Sequence, residues 1–239
     1  MNWNLLLFVI FPYVAITVAV AGTIVRWRHY PFTVSALSSQ LLESKRLFWG
    51  SVAFHWGLSL ILLGHLAALF VPRGFELWNA VPVRLYLLEG TGLALALWTL
   101  FGLTVLIYRR VRTPRVRAVT TPMDLAVLGL ILVQVVSGIA IAIWYRWGSF
   151  WGTAVFVPYM WSLFTLQPRP ELVAPLPFVL QLHAFSFFIF LAVFPFTRLV
   201  HIITLPLGYL TRPWQRVIRS RRAPGAYHPA ADRPLERTR

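Results

Sequence analysis

Five long apolar stretches, each closed by charge or proline, constrain this chain more than any other feature. They cover roughly residues 5–25, 47–71, 85–108, 125–144 and 176–205. A helix of about 20 apolar residues crosses the hydrocarbon core of a bilayer, and a segment in lipid must satisfy its backbone internally. The expected fold is therefore all-α: an integral membrane bundle of five transmembrane helices. Composition agrees. Of 239 residues, 58% are hydrophobic and 12% charged, with a mean hydropathy of +0.69. A soluble domain carries about 25% charged residues. The first stretch lacks a basic leader and is too long for a cleaved signal, so it reads as the first span. The fifth is long enough to tilt or to run on past the membrane.

The formal charge of +15 is spread between the spans and not along one face. Loop one holds Arg26, Arg28, Lys45 and Arg46. Loop three holds Arg109, Arg110, Arg112, Arg115 and Arg117, and eight further arginines follow Leu205. The alternate side carries only Arg73, Arg84, Arg146 and Arg169. Such asymmetry sets topology, with the basic loops kept in the cytoplasm. It predicts an outward N-terminus and a cytoplasmic C-terminus, and it argues against nucleic acid as a partner. The absence of cysteine excludes disulfides, Fe–S clusters and thioether-attached haem within the chain. Residues 1–222 read as one membrane domain with a basic cytoplasmic segment. Residues 223–239, rich in proline, alanine and charge, read as a disordered or partner-bound tail. The long connection around 158–177 is expected to fold over the outer surface.

Histidines inside the apolar background carry the chemistry. An ionisable side chain at membrane depth is costly and marks a functional site by default. His55 and His65 lie in the second stretch, His183 and His201 in the fifth. In the predicted topology these stretches are antiparallel. Depth then matches His65 with His183 near the outer face and His55 with His201 nearer the cytoplasm. Two bis-histidine haems would need such an arrangement, while proton or metal transport is the competing use. His183 and His201, about five turns apart in an unbroken helix, would share a face, whereas His55 and His65 are about 80° out of phase. Gly57 and Gly64 would leave room for a flat macrocycle. Glu89 and Asp124 sit near span ends and make a thin proton wire. His29 and His228 lie outside the spans and read as surface residues.

The motifs SSQLLESK (38–45), FHWGLSLILLGH (54–65), PRVRAVTTPMD (114–124), PFTRLVHI (195–202) and PLGYLTR (206–212) resemble the gamma subunit of respiratory nitrate reductase. The resemblance covers roughly residues 10–217. It implies a dihaem cytochrome b in the cytoplasmic membrane of a prokaryote, with two b haems ligated by His55, His65, His183 and His201. It also implies quinol oxidation beside the outer haem and electron delivery to an Fe–S subunit and a molybdenum catalytic subunit. Arg84 matches the family's basic quinol-site position, and Gly64, beside His65, would let a quinol ring approach. Arg198 and Arg112, with Arg115 and Arg117, could pair with haem propionates or serve only as topology charges. The family pattern fades in loop 146–177 and beyond Arg222. Two other readings stay open: an anchor of a formate dehydrogenase, hydrogenase or chlorate-type reductase, and a non-redox transporter using the histidines.

Overall fold

The protein is described by a computed structural model at residues 3–30, 33 and 42–202, with only the backbone of Lys45 and His201. Expectations for the basic segment after residue 202 and for the 223–239 tail lie outside the described residues. Regular structure among the described residues is helical, and five helices are long and apolar enough to cross a membrane. Four of these are α1 (Trp3–His29), α2 (Lys45–Phe70), α4 (Pro82–Arg112) and α6 (Pro122–Trp144). The fifth is built on α8 (Phe178–Val193). Between them lie α3 (Pro72–Asn79), α5 (Pro114–Arg117) and α7 (Gly148–Phe164).

Local chemistry explains the helix starts. From α3 to α6 every helix has proline in its first turn, where the missing N–H falls among donors that have no intrahelical partner anyway. At α6, Thr121 Oγ1 accepts from the Asp124 N–H at 3.2 Å, and Asp124 Oδ2 accepts from the Thr121 N–H at 3.0 Å. That reciprocal capping box satisfies two orphan donors.

Helices α2 and α4 pack antiparallel and close. A Cβ on Gly57 would stand 2.9 Å from the Leu95 carbonyl oxygen, and one on Gly102 would stand 2.7 Å from the Gly50 carbonyl oxygen. Small residues at these crossings let the two backbones approach, as is common between membrane helices. Phe54, Leu103, Ile131 and Val135 then form a core shared by α2, α4 and α6. A second core joins Phe8 and Ala15 of α1, Tyr159 and Leu163 of α7, Val173, and Phe188 of α8.

Two features depart from the sequence reading. The first is α7, a helix of 17 residues whose last part, from Pro158, occupies the start of the connection expected to drape over the surface. At 1.5 Å per residue it is too short to span, yet it is docked in the second core. Its Tyr159, fully buried, donates to the Phe8 carbonyl at 2.9 Å. Pro12 lies one turn after Phe8 and has no N–H to offer that oxygen. The tyrosine supplies the missing donor.

The second departure is in span five, which is not one helix over residues 176–205. Helix α8 ends at Val193, and two 3-10 turns follow, Phe194–Phe196 and Arg198–Ile202. Between them Thr197 is extended at φ −111° and ψ 174°. Pro195 cannot extend an α-helix without losing a backbone bond. Helix α1 is shaped to receive this break. A Cβ on Gly22 would stand 2.8 Å from Pro195 Cγ, and Arg26 Nη1 donates to the Pro195 and Thr197 carbonyls at 2.7 and 2.6 Å. The five-turn phase relation between His183 and His201 fails with the helix that carried it.

Candidate functional site

His183 is the most completely defined of the four span histidines. Its Nδ1 lies 2.9 Å from Ser137 Oγ on α6, and that hydroxyl in turn donates to the Gln134 carbonyl at 3.1 Å. With the serine proton so committed, the ring is the donor. On its other side, His183 Nε2 faces Gln134 Nε2 at 3.3 Å. The amide is oriented because its oxygen accepts from Ser186 Oγ. An amide nitrogen only donates, so the Nε2 lone pair points toward it. Both sides of the ring give the same tautomer: Nδ1–H, with Nε2 as the basic nitrogen. Gly138 makes room for the ring, since a Cβ there would stand 3.2 Å from His183 Cε1.

The histidines of α2 share that tautomer by a more local device. His65 Nδ1 lies 2.8 Å from the Ile61 carbonyl, and His55 Nδ1 lies 2.8 Å from the Ser51 carbonyl. A carbonyl only accepts, so Nδ1 carries the hydrogen in each. Metal-bound histidines are usually fixed in this manner, the second nitrogen donating to a carbonyl, carboxylate or water. The residues present therefore fit bis-histidine ligation through Nε2, provided the Gln134 amide gives up its contact with His183. Helix α2 packs chiefly on α4, and α8 on α6 and α1, so neither histidine helix is the other's main neighbour.

The remaining candidates are placed as follows. Helix α2 runs unbroken through His55 and His65, so their offset of about 80° stands. A Cβ at Gly64 would meet nothing within 4 Å, which leaves open space beside His65. Gly57 does not leave room for a macrocycle, because its missing Cβ is used by the α2–α4 crossing. Arg84 lies in the first turn of α4, with its guanidinium 5.3 Å over the Trp78 ring. Arg198 Nε stands 3.4 Å from Asp124 Oδ1, and Asp124 also receives Arg110 Nη1 at 3.0 Å. Arg112 and Arg115 are exposed near the basic end of α4, as are Arg117 and His29 at that end of the bundle. His201 lies in the Arg198–Ile202 turn, and its side chain falls outside the described residues.

Gln134, Ser137 and Ser186 are the site residues the sequence reading passed over. Their signal was available: polar groups in an apolar span are costly unless partnered, and two of them interrupt ILVQVVSGIA. Glu89 proves to be structural. It accepts from the Ser149 N–H and Oγ at 2.7 and 2.6 Å, which satisfies the start of α7.

Comparison with known proteins agrees with this architecture. Residues 4–221 match the family described as the nitrate reductase gamma subunit. The nitrate reductase gamma chain of Bacillus subtilis is 34% identical over 209 residues, which is 86% of this chain and 93% of that one. The respiratory nitrate reductase 1 gamma chain of Escherichia coli is 31% identical over 218 residues, covering 90% and 96%. The nitrate reductase-like protein NarX of Mycobacterium tuberculosis is 30% identical over 229 residues, 87% of this chain but 33% of that longer protein. With its five apolar helices, the chain is a multi-pass membrane protein that belongs to the nitrate reductase gamma subunit family.

Proposed function

We propose that this chain is the quinol-oxidising membrane anchor of a respiratory nitrate reductase and holds two b haems, one between His65 and His183 and one between His55 and His201. The observation that supports the reading is the common anchoring of His55, His65 and His183, each ring held through Nδ1, which leaves Nε2 as the basic nitrogen. Family membership supports the anchor role. When bound, the haems supply one-electron carriers linking a quinol to the Fe–S and molybdenum subunits. The protein's own share is to hold the rings, to bind quinol and to set direction. Open space at Gly64 admits a quinol ring beside His65, and Arg84, held on Trp78, stands at the rim of that end. Arg198 and Arg112 place guanidinium groups at the other end, where forks match carboxylates such as propionates. The excess of arginine there assigns that end to the cytoplasm, so the His65 end faces outward and the apolar helix faces meet lipid.

A reduced-minus-oxidised spectrum of the purified chain tests the reading. Two b-type α-bands are expected, with His65→Ala and His183→Ala each removing the same one and His55→Ala removing the other. Loss of one haem by both His55→Ala and His183→Ala would refute the pairing. Absence of any α-band from folded wild-type protein would refute haem binding. Co-purified subunits carrying molybdenum and Fe–S clusters would identify the electron acceptor.

A further inference from the structure

His55 and His65 are each fixed by a backbone carbonyl one turn back in their own helix. His183 is fixed from a different helix, by a side chain: Ser137 Oγ at 2.9 Å. The difference matters because a backbone carbonyl is present whatever the sequence, while the hydroxyl exists only through the choice of residue 137. Ser137 is buried, at 5% exposure, and so is Ser186 at 2%. Each is partnered within the trio it forms with Gln134: Ser137 donates to the Gln134 carbonyl and Ser186 to the Gln134 side-chain oxygen. A polar group in an apolar span is retained where it has a partner and a task. With its hydrogen on the Gln134 carbonyl, Ser137 Oγ keeps an acceptor lone pair facing His183 Nδ1, while Ser186 Oγ lies within donating distance of both the Gln134 side-chain oxygen and the His183 carbonyl.

From this we infer that Ser137 is the positioning residue for His183, selecting its Nδ1–H tautomer and setting the electron-donating strength of Nε2. The inference rests on the haem reading of His183. A hydrogen bond donated from the far nitrogen raises the basicity of a ligating imidazole. A more basic ligand favours the oxidised, more positive iron, so the Ser137 contact lowers the reduction potential of the haem that His183 serves. It leaves the other haem untouched, because the His55 ring is fixed by Ser51 on its own helix.

Redox titration of both haems in membranes holding the full complex tests this, comparing wild type with Ser137→Ala and Ser137→Thr. The alanine variant is expected to raise the potential of the haem lost in His183→Ala, and to change its low-spin electron paramagnetic resonance signature. The threonine variant, which keeps the hydroxyl, is expected to restore both. Loss of that haem in the alanine variant with retention in the threonine variant would support the same assignment. An unchanged potential in Ser137→Ala, an equal shift in Ser137→Thr, or a shift confined to the other haem would overturn it. Wild-type membranes without b-type bands would instead overturn the haem reading itself.

Discussion

The two ends of the bundle are fastened by different chemistry. At the basic end the fasteners are guanidinium groups. Arg109, only 3% exposed, sets Nε 2.7 Å from Glu43 Oε2 and donates Nη2 to the Glu43 carbonyl at 2.8 Å. Arg110 and Arg198 converge on Asp124, and Arg26 caps the break after α8. At the opposite end the fasteners of α7 are mostly neutral. Tyr159 serves the Phe8 carbonyl, Tyr13 donates to the Leu163 carbonyl at 3.2 Å, and Trp161 Nε1 donates to the Leu69 carbonyl at 3.0 Å. Both ends meet the same need, since prolines and helix termini leave carbonyls without backbone donors. Arginines at a membrane edge can keep part of the guanidinium near water or, like the buried Arg109, be offset by a carboxylate, while a donor sunk into an apolar core costs less if it is uncharged and hydrogen-bonded.

That contrast can be broken experimentally. The largest effect belongs to Arg109→Ala, which takes a buried cation from the partly exposed Glu43; the loss should sit at the low end of the range for breaking a buried pair, about 3 kcal/mol. Thermal unfolding in detergent should show this loss, and an effect below about 1 kcal/mol would mean that water replaces the arginine. Tyr159→Phe should cost less, about 1–3 kcal/mol, the usual penalty for a buried acceptor left unpaired. Pro12, one turn on, has no N–H to take the place of the hydroxyl. Amide exchange at the start of α1 would localise that loss to the opposite end.

The third and smallest effect is a response to acid at the basic end. Burial pushes the Glu43 carboxyl up, but the Arg46 and Leu47 N–H groups and the Arg109 guanidinium outweigh it and hold the carboxyl below its ordinary range. A depressed carboxylate contributes stability that is present above the unfolded pKa, about 4.3 for glutamate. The contribution is lost as pH falls through the lower folded value. The Tm gap between wild type and Glu43→Gln should therefore hold from pH 7 to about 5 and close only in stronger acid. The Tyr159→Phe gap should show no such closure.

Much of this architecture was legible because its causes are local. The spans declared themselves by length and hydropathy, although the helices at Pro82 and Pro122 begin three residues before the apolar stretches do. The site was legible in part, because histidine at membrane depth has few cheap explanations. Residues whose role depends on a distant partner were misjudged. Gly57 looked like cofactor space and is a helix crossing. The connection at 158–177 looked like a surface loop because it is long and carries prolines, yet its first residues close a helix docked in the second core.

Composition and charge order were enough to establish a five-span helical membrane protein with histidines in its second and fifth spans, since hydrophobic length and the cost of buried charge act within a single segment. Which face each histidine presents, how span five breaks at Pro195, and that His183 is held by Ser137 depended on packing. A side chain's partner on another helix is set by the relative rotation and depth of both helices, and no single stretch of sequence encodes that relation.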